Sequence, residues 1–369
     1  MSERERAPRR LPSRRGGRSR RGPKPAERSE ALARRDNMHD LSAGGDVMAR
    51  VRGCARRALR EYDCHPDSDI ELLNVSENAT FLVTDPDSGP SVLRVHRLGY
   101  HTEDEIASEL TWMDALRAEA GVRTPRALAA RDGRRIVSAA EPGGALRHCV
   151  RFEFLPGTEP AESAADGPAH FAELGEITAR MHAHARQWRR PGWFTRFHWD
   201  YPAAFGEQAR WGRWQDGVGV GPAEREILGR LDRGIARRLA AYGTTPDRYG
   251  LVHADTRLAN LLVHDGAVSV IDFDDSGFSW YLYDLGTSVS FFEHDPVVPE
   301  LIGSWLAGYR ARGRLTAADE AEIWTFIMFR RLLLVAWIGT HQAVDIAAEL
   351  GAGYTRDSCD LAEWYLSTH

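Results

Sequence analysis

Apolar positions recur along this chain at two periods, and the change of period divides it. From Val47 to Tyr62 they fall at helical spacing (Val47, Val51, Ala55, Leu59) among basic residues, which predicts an amphipathic helix. Three β-like runs follow: Ile70–Val75, Thr80–Thr84 and Ser91–Val95. Ser76–Glu77–Asn78 joins the first two, and the turn-forming stretch Asp85–Gly89 joins the last two. Thr102 with Glu105 three residues on is a capping box, so a helix is expected from about 102 to 119, ending near Gly121. Strands near Arg135–Ala139 and His148–Leu155 then complete a mixed sheet of about five strands. From Ala169 the pattern is helical: Phe171–His184, Ala223–Ala241 and, beyond Gly286, Ser288–Glu293, Pro299–Arg312, Ala317–Thr340, His341–Leu350 and Ser358–Ser367.

The segment Leu251–Gly286 interrupts those helices. A polar cluster, His253–Ala254–Asp255–Thr256–Arg257, precedes Asn260. An apolar run, an Asp265–Gly266 turn and a second run ending at Ile271 then deliver Asp272. That is the pattern of a β-hairpin with an Asp-Gly turn. Its open end carries Asn260 before the first strand and Asp272 after the second, with Asp255 one loop away. Two carboxylates and a carboxamide at H-x-D-x-x-x-x-N spacing suit phosphoryl transfer. A hard cation such as Mg²⁺ takes one or two protein carboxylates plus phosphate oxygens. Asn260 and Asp272 are therefore the expected metal ligands, and Asp255 is the group that accepts the proton of an attacking hydroxyl. Arg257 is a cation within reach of the phosphate in transfer. Asp284 is expected to brace the loop by accepting backbone N–H bonds.

The strand region supplies a second set of groups. Ser76 and Asn78 lie in a turn whose N–H groups and side chains can cover phosphates. Arg94 on the third strand is the cation expected to reach those phosphates, held by Glu109 of the following helix. Glu153 and Leu155 mark the passage from strand to helical region, a natural place for an adenine to meet main-chain groups. His182 and His184 are two positions apart, on different helix faces, and are read as core or surface histidines. The aromatic stretch Trp188–Trp214 is read as packing, with Trp193, Trp199 and Tyr201 as the positions that a substrate would meet.

Composition narrows the class. The chain has 369 residues, 43% of them hydrophobic, enough for a sizeable core in one or two lobes. No stretch approaches the run of about 18 apolar residues that a membrane span needs, because Arg330 and Arg331 interrupt Ile323–Ile338. Residues 1–35 carry 13 Arg or Lys and 4 Asp or Glu, whereas the remainder has a net charge of −14. The tail, residues 1–46, is expected to be disordered. The acidic body argues against dedicated nucleic-acid binding and suits a cationic small substrate. Four widely spaced cysteines fit free thiols in a reducing cytoplasm.

The segments SENATFLV, SVLRVHR, EIASELTWMDAL, FEFLPG, LGEITARMHAHA, HADTRLANLLV, VIDFDD and GFSWYLYDLG together resemble the aminoglycoside phosphotransferase and choline kinase-like family. Within it the chain looks most like the branch of type II homoserine kinases and the bacterial stress-response kinase. The resemblance implies an α+β, bilobal protein-kinase-like fold: a small N-terminal antiparallel-sheet lobe (47–157) that binds nucleotide and a larger, mainly helical lobe (158–369). It implies ATP and Mg²⁺ as cofactors, Asp255 as catalytic base, Asn260 and Asp272 as metal ligands, Ser76–Asn78 as phosphate-covering loop and Glu153–Leu155 as hinge. The implied reaction moves the γ-phosphate to a hydroxyl of a small amine-bearing molecule. A protein Ser/Thr kinase and a nucleotide-binding pseudokinase are the alternatives. Two positions depart from the family: Arg94 stands where Lys is usual, and Ala254 where Gly is usual. The sequence leaves the oligomeric state open.

Overall fold

The computed structural model describes residues 45–76, 78–141, 144–160 and 167–369. The expected tail at 1–46 lies almost wholly outside the described residues, as does Glu77 of the strand-joining turn. Helix α1 (Gly45–Glu61) leads into five strands: β1 (Asp69–Val75), β2 (Asn78–Asp85), β3 (Gly89–His96), β4 (Ile136–Ala140) and β5 (Leu146–Glu153). Their spatial order is β1-β2-β3-β5-β4, and every neighbouring pair is antiparallel. The sheet is thus antiparallel throughout, as the resemblance implies, and not mixed as the pattern of runs suggests: β4 takes the far edge and β5 returns between it and β3, antiparallel to both.

Strand alternation sorts the two faces of this sheet. Phe81, Val83, Leu93 and Val95 pack with Val51, Cys54 and Ala58 of α1 into one apolar cluster. Arg94, between Leu93 and Val95, must point to the other face. That face meets α2 (Glu103–Glu119), whose Ile106, Leu110 and Met113 pack with Val150 and Phe152. The capping box forms as expected: Thr102 Oγ1 accepts from the Glu105 N–H at 3.2 Å, and Glu105 Oε2 accepts from the Thr102 N–H at 2.8 Å. It fixes where α2 starts, and so where Glu109 falls.

The second half is built on helices α3 (Gly167–Gln187), α4 (Tyr201–Phe205), α5 (Pro222–Tyr242), α6 (Leu282–Ser288), α7 (Val298–Arg312), α8 (Ala317–Glu320), α9 (Ile323–Thr340) and α10 (Asp345–Thr368). Two ribbons lie among them. Strands β7 (Leu261–His264) and β8 (Ala267–Val270) form the expected hairpin, with positive φ at Asp265 (49°) and Gly266 (72°) as a type I′ turn requires. Strands β6 (Tyr249–Val252) and β9 (Gly277–Trp280) form a second ribbon whose last pair, Val252 and Gly277, sets loop 253–260 against loop 271–276.

The chain after Gly286 differs from expectation in three ways. Ser288–Glu293 is not a helix: α6 ends at Ser288, because β9 places its start at Leu282. The expected helices His341–Leu350 and Ser358–Ser367 merge into one element, α10, which starts only at Asp345 and is broken at Gly351 (φ 44°, ψ −138°). Residues Ala317–Thr340 are long and apolar enough to cross a membrane by length and composition. Yet 83% of that apolar window is buried among other helices, which marks it as the central core helix. It packs closely on α6: a Cβ at Gly286 would lie 2.7 Å from the Phe326 carbonyl oxygen. That approach brings α9 up to the loop carrying Asp255.

Candidate active site

Loop 253–260 is pinned from beneath by α6. Asp284 Oδ2 accepts from the His253 N–H at 3.2 Å, and Oδ1 accepts from the Ala254 N–H at 2.7 Å. His182 of α3, fully buried, lies 2.9 Å from the same Oδ2 through its Nε2. Thr256 donates its hydroxyl to the Asp284 carbonyl at 2.7 Å. His253 ties this loop to the next one. Its Nε2 donates to the Ile271 carbonyl at 3.1 Å, and its Nδ1 accepts from the Asp255 N–H at 3.2 Å. That pair of bonds requires the neutral ring, and burial holds its pKa below the usual histidine range. Ala254 sits at φ 67°, a conformation that glycine adopts without strain.

Asp255 is gripped at both oxygens. Its Oδ2 accepts from Asn260 Nδ2 at 2.7 Å and from Arg257 Nε at 3.2 Å. Its Oδ1 accepts from Arg330 Nη2 at 2.5 Å. Burial alone would raise the Asp255 pKa. Arg257 and Arg330, helped by the Asn260 hydrogen bond, outweigh it and hold the group below the usual carboxylate range. Arg330 is itself fixed: Nε donates to Ser290 Oγ at 3.1 Å and Nη1 to the Tyr283 hydroxyl at 3.2 Å.

Asp272 stands across from this group at φ 58°, with its side chain 42% exposed. Its pKa is pushed up to about 7 by lost hydration, opposed by Arg94 and reinforced by the carboxylates of Asp274, Asp255 and Glu109. With that much exposure, the crowding of negative charge matters more than desolvation. A concentration of carboxylates with one member so raised is chemically suited to a divalent cation. Asn260 has committed its amide nitrogen to Asp255, so its carbonyl oxygen is what it can offer a cation. Among the described residues no three His, Cys, Asp or Glu side chains are arranged to hold a metal alone. That suits a cation completed by phosphate oxygens and water.

The sheet contributes Arg94, whose Nη2 lies 2.7 and 2.8 Å from the two Glu109 oxygens, as expected. Its Nη1 is 3.5 Å from Asp272 Oδ1. Burial would lower the Arg94 pKa, but Glu109, Asp274 and Asp272 raise it above the usual arginine value. Ser76 lines the same cavity as Asp255. Asn78 is 7% exposed, and its Oδ1 accepts from the Arg97 N–H at 3.3 Å, so its carboxamide oxygen faces its own sheet. Glu153 Oε1 accepts from the Arg126 N–H at 3.0 Å, with half-buried Leu155 two residues on. The chain then bonds to the hairpin through a reciprocal pair between Thr158 and Val263.

Between these groups and the α9–α10 connection lies a cavity of about 500 Å³. Asp255, Arg257, Arg330 and Asp275 face it, with Trp211, Phe291 and Trp337 among its aromatic walls. Within the aromatic stretch the cavity residue is thus Trp211. Trp193 is 52% exposed, Trp199 is buried, and Tyr201 donates to Asp232 at 2.6 Å. Next to Arg94, His101 Nε2 lies 3.2 Å and His96 Nδ1 3.6 Å from the buried Asp274 carboxylate. Burial would raise Asp274, but His101, Arg94 and His96 hold it well below its usual range.

Residues 69–321 match the phosphotransferase enzyme family. The chain belongs to that family. The amicoumacin kinase of Bacillus subtilis (strain 168) is 26% identical over 290 residues, 73% of this chain and 81% of that protein. The solved structure of the microcompartment-associated aminopropanol kinase is 49% identical, with a TM-score of 0.80, covering 86% of this chain and 98% of the other. An amicoumacin kinase in complex with AMP-PNP, Ca²⁺ and Ami shares the fold at 23% identity, with a TM-score of 0.70 over 85% and 95% of the two chains. The antiparallel sheet followed by a mainly helical part is the kinase-like fold of these phosphotransferases, and the protein is a small-molecule kinase.

Three parts of this phosphotransferase site escaped the sequence. Arg330 was visible only as a charge interrupting an apolar helix, and a buried arginine in such a helix signals a carboxylate partner. The His96, His101 and Asp274 group unites a strand end, a helix approach and a loop. Strand β9 is short and follows a charged loop, so it did not stand out from its surroundings.

Proposed function

We propose that this kinase transfers the γ-phosphate of ATP, with Mg²⁺, to the hydroxyl of a short amino alcohol. The observation that carries the reading is the cavity, where Asp255 shares a half-open space, lined by carboxylates, guanidinium groups and aromatic rings, with Asp275. Such a space suits a cationic molecule small enough to enter it. The 49% identity to an aminopropanol kinase narrows the expected small amine-bearing acceptor to an amino alcohol, rather than an aminoglycoside or homoserine.

In this reading Asp255 orients the acceptor hydroxyl and takes its proton, and Arg330 with Asn260 keeps that carboxylate in place. Asn260 and Asp272 hold Mg²⁺, which when bound neutralises charge on the nucleotide phosphates. Arg94, anchored by Glu109, and Arg257 face the phosphates. Ser76 and Asn78 form the turn above them, and Glu153–Leu155 receive the base. Two features favour an active enzyme over a pseudokinase. Arg94 keeps the ion pair to the helix glutamate, and Ala254 adopts the conformation that its hydrogen bond to Asp284 needs.

The test is transfer from radiolabelled ATP to a panel of amino alcohols, homoserine, aminoglycosides and proteins. Label is expected on short amino alcohols. Label only on protein, the chain itself included, would overturn the reading in favour of a protein kinase.

A further inference from the structure

The cavity holds more charge than phosphate transfer uses. Three carboxylates (Asp255, Asp275, Asp345) face two guanidinium groups (Arg257, Arg330) in its wall, an excess of one negative charge when all are ionised. Asp255 gives Oδ1 to Arg330 and Oδ2 to Asn260 and Arg257. Asp345 is exposed at the start of α10. Asp275 is only 9% exposed, and aromatic donors fix it. Its Oδ1 accepts from the Tyr100 hydroxyl at 2.9 Å, and Trp211 Nε1 donates to that hydroxyl at 3.2 Å. Its main-chain carbonyl accepts from Trp199 Nε1 at 2.7 Å.

We propose that Asp275 selects the acceptor by binding its ammonium group while Asp255 engages the hydroxyl. The inference rests on the amino-alcohol reading above and names the residue responsible. Arg330 lies within electrostatic reach of Asp275 as well as of Asp255, and Asp275 lines the cavity, so an ammonium entering it would meet a carboxylate already held in place. An ionised carboxylate rewards an N–H donor with a short, charge-assisted bond. A quaternary ammonium has no such donor, and a diol has no charge. The acceptor class is therefore a primary or secondary amine with a nearby hydroxyl.

The experiment compares kcat and KM for a three-carbon amino alcohol and for the diol of the same skeleton. Wild type is expected to prefer the amine. Asp275→Asn should raise KM for the amino alcohol on the order of 100-fold, leave KM for ATP unchanged and bring the two acceptors within a few-fold of each other. Tyr100→Phe removes the hydroxyl that donates to Oδ1 without removing the carboxylate. It should raise the amine KM several-fold and leave the diol unchanged, which keeps the proposal testable if Asp275→Asn does not fold. An amine preference that survives Asp275→Asn, or an equal loss on both acceptors in either variant, overturns the assignment to Asp275 alone. No amine preference in wild type overturns it together with the amino-alcohol reading.

Discussion

Arg94 and Arg330 are both buried guanidinium groups paired with a carboxylate, and they divide the labour in opposite ways. On the sheet side Glu109 is the anchor. Both of its oxygens are taken by one nitrogen of Arg94, which leaves Nη1 facing Asp272. On the helical side Arg330 is the anchor. Two hydroxyls fix it, and it spends its third nitrogen on orienting Asp255. In the proposed reading, one pair presents a cation to phosphate and the other presents an anion to a hydroxyl. Removing Arg94 would take the ion-pair partner from buried Glu109, which typically costs about 3–5 kcal/mol of stability, whereas removing Arg330 leaves Asp255 with Arg257 and Asn260 and should cost less. The kinetic consequences should nevertheless fall on different substrates.

The largest effects are expected where the two sides meet. Asp272→Ala should lower kcat/KM on the order of 10³-fold or more while the melting temperature stays near wild type, since the side chain is 42% exposed. Asp255→Asn should lower kcat by about 10²- to 10⁴-fold. Substantial turnover in Asp272→Ala would remove it from the cation site.

The arginines then test the comparison itself. Arg330→Met should reduce kcat about 10- to 100-fold with little change in KM for ATP, because it acts through the orientation of Asp255. Arg94→Lys should raise KM for ATP by up to about tenfold, because a point charge replaces a planar fork. If both variants shift the same parameter, the division between nucleotide and acceptor sides fails.

A smaller effect is expected with pH. With its pKa raised to about 7, Asp272 carries a proton in the metal-free protein below that pH, and a cation must displace it. Affinity for Mg²⁺ with a non-hydrolysable nucleotide should increase from pH 6 to pH 7.5 and then level off. In Asp272→Asn the slope should vanish, and calorimetric titration at several pH values reads both.

The smallest effect is at Ala254. Its φ of 67° strains a residue with a Cβ, so Ala254→Gly should stabilise by about 0.5–1 kcal/mol in thermal unfolding, offset in part by the greater freedom of glycine in the unfolded chain. Destabilisation would mean that the methyl group packs favourably enough to repay its strain.

The same asymmetry explains what the sequence could reveal. Arg94 and Glu109 are 15 positions apart, on a strand and the helix after it, so strand alternation and a capping box are enough to aim one at the other. The hairpin bearing Asn260 and Asp272 was legible because its turn is short and local. Arg330 lies 75 positions from Asp255, and only the close packing of α6 against α9 brings the two together. Nothing local in Phe329–Arg330–Arg331 says which carboxylate either arginine will find. Arg330 reaches Asp255, and Arg331 reaches Glu293 at 2.5 Å. The kink at Gly351 and the pairing of β9 with β6 were hidden for a related reason, since each depends on a neighbour distant in the chain.

The most direct test of the account is ³¹P NMR of wild-type protein with Mg·ATP and 1-amino-2-propanol. The expected result is a phosphomonoester resonance that grows in step with ADP, and whose growth is abolished by Asp255→Asn. ATP stable in the presence of every short amino alcohol, or hydrolysed to inorganic phosphate without ester formation, would contradict it.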